Sequence, residues 1–419
     1  MSTKLRSAYS VQWCRLTSGE RLPFLIWGET GLPIEAPTFW SLALLRARNL
    51  QANTLKNRLR SLIFLYVWAD LRGVNLQHRL VDGVFFSLGE ILDMVNVAGR
   101  RMQDLVNEEE STIVRLPKQY GEGQVQVAER RNRIAAVHAF IEFTSADILS
   151  HLTPWPDRAA RYAAARDLFL SLMAPHVRAV GAGRNDIGER EGMEEASIGR
   201  LRAVIEPDHS ENPFQPGGRF RNYVIIRLLL DLGLRRGELL GIKVPDLDLG
   251  ASKTVTIHRR PDDLEDPRAE KPEAKTMARV LALSGRLAEI VHEYIVHHRS
   301  VFPRARKHPY LFVNTVDGAP LSLSSVNKIL QALRRSVPGL PDDLAPHLLR
   351  HSWNDAFSDH ADRQGVSPEN EVKWRARLMG WRDEGSARHY LRRTVRTRSN
   401  AVLEEMHHQL ILGTEKKCD

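Results

Sequence analysis

Apolar residues recur at three- and four-residue spacing through most of the chain, the period of a helix that buries one face. In the first half this predicts helices over 37–48, 54–71, 88–102, 125–148 and 158–173. Within the second of these, Leu55, Leu59, Leu62, Ile63, Tyr66 and Val67 form an apolar stripe, while Lys56, Arg58 and Arg60 occupy the remaining positions. The pattern predicts a small helical bundle with basic outer faces, which suit either a plain solvated surface or an anionic partner.

Between 177 and 218 the periodicity weakens and Gly, Pro, Asp and Glu accumulate, as in Gly181-Ala-Gly-Arg-Asn-Asp and Glu211-Asn-Pro-Phe-Gln-Pro-Gly-Gly. That composition predicts an interdomain linker interrupted by one short helix near 198–205. A strong helix follows over 223–232, stopped by Gly233, then a second over 235–242. Two short strands, 254–258 and 277–283, flank a charged excursion that contains prolines. Further helices are predicted over 287–297, 324–334, 344–357, 369–379, 384–392 and 398–412. The last carries Val402, Leu403, Met406, Leu410 and Ile411 as an apolar stripe, suited to docking in cis or on a neighbouring subunit.

The expected class is mainly α. A helical domain spans 36–176, a linker 177–218, and a mostly helical domain with a small antiparallel sheet 219–419. Residues 1–35 are an extension of open role, either an arm for DNA or a partner, or a strand pair packed on the first domain. A length of 419 residues agrees with more than one core.

Charge narrows the partner. Sixty Lys and Arg against 51 Asp and Glu give a net charge of +9, which favours a polyanion such as nucleic acid or an anionic membrane surface. Cys14 and Cys418 have no partner at metal-binding or redox spacing, so neither a disulfide framework nor a structural zinc is expected. The first residues precede no apolar secretory segment, and the most apolar stretch, 223–232, is interrupted by Arg227 and Asp231. It is also far shorter than the ~20 residues a bilayer requires. The expectation is a cytosolic protein with no membrane association.

Five short motifs then fall in order: Gly233-Leu-Arg-Arg-Gly-Glu-Leu-Leu, Lys275-Thr-Met-Ala-Arg-Val-Leu-Ala-Leu, His347-Leu-Leu-Arg-His-Ser, Leu378-Met-Gly-Trp and His389-Tyr390. In this the chain resembles the tyrosine recombinases (phage integrases, Xer-like and Cre-like enzymes), whose pattern is Arg, Lys, His-x-x-Arg, His or Trp, and Tyr. The resemblance runs over 196–395, and the first half resembles the family's core-binding domain in type rather than by motif. It implies cleavage and rejoining of double-stranded DNA through a 3′-phosphotyrosyl intermediate, in integration or excision of a mobile element or a related rearrangement. It further implies a tetramer on paired sites, accessory recombinase subunits in some systems, and a bacterial, nucleoid-associated location.

Phosphodiester chemistry explains these residue types. Charge that builds on the non-bridging oxygens must be neutralised, and guanidinium stays charged and grips two oxygens. Arg235 and Arg350 are the expected clamps, with Arg236 a surface neighbour. His347, three residues before Arg350, shares its helix face and can donate to the phosphate or exchange a proton with the nucleophile. The resemblance makes Lys275 the general acid for the departing 5′ oxygen, with Lys271 a rival, and Tyr390 the nucleophile. Trp381 stands where histidine is commoner; its indole N–H can donate a hydrogen bond but cannot shuttle a proton. Glu238 is expected to brace the site. Arg388, Arg392 and Arg393 flank Tyr390, and with Lys56, Arg58 and Arg60 they are candidate DNA contacts.

No cofactor is expected, because the phosphotyrosyl link keeps the energy of the broken bond. His347 and His351 have a metal-like spacing but lack the glutamate and third ligand of a zinc site. Two other readings are a recombinase-derived protein that binds DNA without cutting, and a type IB topoisomerase. The separate helical first half favours a site-specific enzyme.

Overall fold

The computed structural model describes residues 8–17, 20–48, 50–108, 123–178, 192–260, 263, 265–268, 270–272, 274, 276–385, 399–400 and 402–407. The chain divides into two units, Met1–Asn185 and Asp186–Asp419.

The first unit opens with a β-hairpin, β1 (Tyr9–Arg15) antiparallel to β2 (Arg21–Trp27), with β3 (Leu32–Pro33) on its other edge. Leu22, Phe24, Leu25 and Ile26 of β2 are buried, so the packed strand pair, not a free arm, is the form these residues take. Next come α1 (Glu35–Phe39), which runs on as a π-helical turn through Trp40–Arg46, and the central α2 (Ala52–Leu71). The predicted stripe on α2 turns inward: Leu55, Leu59 and Leu62 are fully buried. Helices α3 (Leu76–Asp82), α4 (Leu88–Val97), α5 (Met102–Glu108), α6 (Val127–His151) and α7 (Pro156–Arg178) complete the unit. Trp40 meets Phe140 of α6 edge-on at 5.7 Å at the centre of the core.

The helix expected over 88–102 ends at Val97, and α5 begins separately at Met102. The carbonyls of Ala98 and Arg100 accept from Nη1 of buried Arg133 at 3.2 and 2.6 Å, and that of Gly99 accepts from the Val125 N–H at 2.8 Å. Acceptors engaged by α6 and the segment before it cannot continue a helical ladder.

In the second unit, α8 (Glu195–Val204) delivers Leu201 and Val204 to the core, with Ile205 and Phe214 following. The expected linker 177–218 therefore needs correction, since its residues from 192 onward are an integral part of this unit. Its polar residues act as internal braces rather than spacers: the Asn212 amide donates to the Ile205 and Glu206 carbonyls and its oxygen accepts from the Phe214 N–H. The backbone of Met193 donates to the Ser352 hydroxyl at 2.8 Å.

Helix α9 (Pro216–Leu232) begins earlier than its apolar run because Pro216, lacking an N–H, is suited to a first turn. After it come α10 (Arg236–Gly241) and the strands β4 (Leu247–Asp248), β5 (Thr254–Ile257) and β6 (Arg279–Ala282), an antiparallel sheet in that order. Register pairs Ile257 with Arg279 and Val255 with Leu281, and all four side chains are buried. Beyond the sheet lie α11 (Gly285–Glu293), α12 (Leu323–Ser336), α13 (Pro346–Arg363) and α14 (Pro368–Met379). Most of the helix expected over 384–392 lies outside the described residues; of the one over 398–412, residues 399–400 and 402–407 are helical. The molecule is mainly α with small antiparallel sheets, and no helix among the described residues is long and apolar enough to cross a membrane.

Candidate active site

The turn between α9 and α10 sets the first cationic side chain. Gly233 ends α9 at φ +60°, a conformation that favours glycine, and a Cβ there would lie 2.9 Å from the Trp353 ring. Arg235 caps α10 in an extended conformation. Its N–H donates to Glu238 Oε2 at 2.9 Å, the reach-back expected of a glutamate three residues into a helix. Its guanidinium lies 3.5 Å from Glu238 Oε1 and remains 34% exposed.

Glu238 is fully buried and forms the hub of the site. Its Oε2 accepts from Arg279 Nη2 at 2.9 Å and lies 3.8 Å from Arg350 Nη1, while its Oε1 accepts from the Thr276 hydroxyl at 2.5 Å. Burial pushes its carboxyl up, but the charge and hydrogen bonds of Arg279, the charge of Arg350 and the Thr276 hydroxyl together hold it below the usual range. Three guanidiniums, two of them buried and that of Arg235 partly exposed, face one buried carboxylate, an excess of positive charge. Such an excess in a low-dielectric setting attracts an anion more strongly than the same charges would in water.

Arg350 comes from α13 and is 1% exposed. It donates through Nη1 to the Gly233 carbonyl at 2.6 Å and through Nη2 to that of Met379 at 3.4 Å, and its guanidinium lies 5.5 Å from the Trp381 ring centroid. His347, one turn earlier, is exposed and meets His351 edge-on at 4.3 Å. Trp381 follows Gly380, which ends α14 at φ +66°, and its ring packs against Val372 and Ala376.

Arg235, Glu238, Arg350 and Trp381 are thus brought together, with His347 on the same helix as Arg350. Lys275, Tyr390, Arg388, Arg392 and Arg393 lie outside the described residues. Of the candidates in the first unit, Arg60 is exposed and Arg58 half-exposed, whereas the Lys56 ammonium sits 5.5 Å from the Trp13 ring centroid.

Two participants escaped the sequence reading. Thr276 and Arg279 follow Lys275, and both engage Glu238. The alternation Arg279-Val-Leu-Ala places Arg279 on the inward face with Leu281, and a cation facing a core needs a buried acid. That was the available signal.

Residues 209–396 match the model of the phage integrase family. Over 183 residues the chain is 30% identical to the tyrosine recombinase XerC of Methylobacterium nodulans, covering 42% of this chain and 49% of the relative. Over 211 residues it is 24% identical to the tyrosine recombinase XerD of Halalkalibacterium halodurans, covering 50% and 60%. A crystal structure of the XerH site-specific recombinase bound to a palindromic difH substrate, a post-cleavage complex, aligns at 13% identity with a TM-score of 0.42, covering 83% of this chain and 96% of that one. The family match lies within the second unit, which over these residues is similar to the phage integrase, or tyrosine recombinase, family. The chain spans about half the length of the curated relatives it matches.

Proposed function

We propose that the protein is a site-specific tyrosine recombinase that cuts and rejoins double-stranded DNA through Tyr390. The observation that carries this reading is the Glu238 hub, where Arg235, Arg279 and Arg350 converge beside Trp381, a constellation suited to one phosphodiester. Arg235, the most exposed of the three, reaches for a non-bridging oxygen, and Arg350 supplies charge from the floor of the site. His347 donates to the phosphate, and Trp381 packs over Arg350. The Tyr390 phenol gives up its proton to water as its oxygen attacks phosphorus and the bond to the 5′ oxygen breaks, and Lys275 gives that oxygen its proton. The resulting 5′ hydroxyl of a partner strand attacks the phosphotyrosine, restores a phosphodiester and frees the phenol.

On this reading the partners are duplex DNA and further copies of the chain, four on a pair of sites, with accessory recombinase subunits where the element requires them. The process served is integration or excision of a mobile element or a related rearrangement, at the nucleoid in the cytoplasm of a bacterium.

Nicked duplexes tiled across the DNA that flanks the gene provide the test. A nick close to the scissile phosphate lets the short strand escape after cleavage, so a covalent protein–DNA species survives denaturation. The wild type is expected to accumulate it on one tile and Tyr390→Phe on none. Binding without any covalent species would instead indicate a silent DNA-binding relative, and relaxation of a supercoiled plasmid lacking that tile a topoisomerase.

A further inference from the structure

We propose that Arg279 is a positioning residue: its guanidinium fastens the turn that carries Trp381 to the Glu238 carboxylate, and so holds Trp381 against Arg350. The inference deepens the reading above, on which it rests, by adding a residue that acts through others.

The observation is where the last carbonyls of α14 find their donors. A helix leaves its final carbonyls without intrahelical partners. Here the Trp381 N–H donates back to the Ala376 carbonyl at 2.9 Å and the Gly380 N–H to that of Arg377 at 3.2 Å, the bond pair made by a left-handed glycine past a helix end. The next three carbonyls are taken from outside the helix. Leu378 accepts from Arg279 Nε at 2.6 Å, Met379 from Arg350 Nη2 at 3.4 Å, and Gly380 from the Met277 N–H at 2.9 Å. Of the two guanidiniums Arg279 makes the shorter bond, and a cation is favoured at a helix C-terminus.

The same fork reaches the hub. Arg279 Nη2 donates to Glu238 Oε2 at 2.9 Å, and Nη1 to the Thr276 hydroxyl at 3.1 Å. Its side chain is only 5% exposed, so it serves a bound phosphate through its neighbours. A Cβ on Gly380 would lie 2.8 Å from Arg279 Nη1, which places the guanidinium directly against the turn, one residue before Trp381. Lysine would keep the charge but gather its donors at one point, and could not hold Glu238 and the Leu378 carbonyl together. Glu238 would still face Arg235 and Arg350, so loss of the Arg279 charge leaves no buried carboxylate uncompensated.

The test reads the turn apart from the fold. The full chain, with its eight tryptophans replaced by fluorotryptophan, is followed by fluorine NMR, and lines are assigned from Trp353→Phe, Trp374→Phe and Trp381→Phe. Arg279→Lys and Arg279→Gln are each expected to shift or broaden the Trp381 line, while those of Trp353 on α13 and Trp374 on α14 stay in place. Val291→Ala, a core truncation on α11, which carries no site residue, supplies a destabilised control and should leave all three lines unmoved. In single-turnover cleavage of the trapping duplex, Arg279→Lys should be about ten- to a hundredfold slower than wild type, the cost of a misplacement of up to about 1 Å, with duplex binding unchanged. Val291→Ala should keep the wild-type rate. The positioning role is overturned if the Trp381 line stays put in both Arg279 variants, if it moves only together with those of Trp353 and Trp374, or if it moves without any change in rate. A wild type that forms a covalent species on no duplex overturns the recombinase reading itself, whatever the fluorine lines show.

Discussion

Arg350 donates through Nη1 to the carbonyl oxygen of Gly233 at 2.6 Å, across 117 residues of sequence. That bond fastens the His-x-x-Arg helix to the turn that presents Arg235. The two arginines face different oxygens of one carboxylate, Glu238: Arg235 lies 3.5 Å from Oε1 and Arg350 3.8 Å from Oε2.

Lysine at 350 keeps a positive charge but loses the planar fork that reaches both the Gly233 and Met379 carbonyls. Arg350→Lys is expected to lower the rate of covalent complex formation by about 10²- to 10³-fold, the usual cost of removing a preorganised oxyanion partner. Binding of the same duplex, measured by mobility shift, should change by less than tenfold.

Glu238 supplies a test through acid. Its folded pKa lies below the ordinary value of 4.5, so the stability it contributes is fully present above that value and drains away as pH falls through the lower folded pKa. Urea unfolding of the wild type should therefore weaken below pH 4.5, and part of that loss should vanish in Glu238→Gln. Glu238→Ala, which leaves three guanidiniums without their shared counter-charge, is expected to cost about 3–5 kcal/mol at neutral pH. Parallel pH curves for wild type and Glu238→Gln would contradict this account.

Gly380 is a second sensitive point. Its φ is +66°, and a Cβ would sit 2.9 Å from both the Met277 carbonyl oxygen and Thr276 Cβ. Gly380→Ala is expected to destabilise the second unit by about 1–3 kcal/mol, from left-handed strain and the clash together. It should also slow cleavage of the nicked duplex, because the clash falls on Thr276, a partner of Glu238.

Among the basic residues of α2, salt dependence discriminates. Arg60 is exposed, so if it faces a phosphate, Arg60→Gln reduces the slope of log affinity against log salt by about one. The Lys56 ammonium stands over Trp13, and Lys56→Gln should leave that slope unchanged while lowering the melting temperature of the protein slightly.

Much of this architecture was legible from periodicity. The stripe on α2, the short strands of the second sheet and the order of the motifs need only local chemistry to recognise. What escaped were features set by distant partners. The break between α4 and α5 depends on Arg133, remote in sequence, taking carbonyls from the intervening turn. Residues from 192 to 218 read as a linker because their Gly, Pro and Asn content hides the apolar residues Met193, Leu201, Val204 and Phe214 that seat them in the core. Arg350 was expected as a clamp in contact with phosphate, and its near-complete burial comes from the Gly233 and Met379 carbonyls, which no spacing rule reveals. Thr276 was not singled out, because its hydroxyl partner, Glu238, lies 38 residues away in sequence.

The β1–β2 hairpin sets where this protein can be cut into parts. A recombinant fragment starting at Glu35, where the helices begin, would lack Leu22, Phe24, Leu25 and Ile26, which belong to the same buried core as α2. The exposed apolar wall would drive self-association, so a well-behaved N-terminal half has to retain Tyr9 onward, and affinity tags belong ahead of that strand.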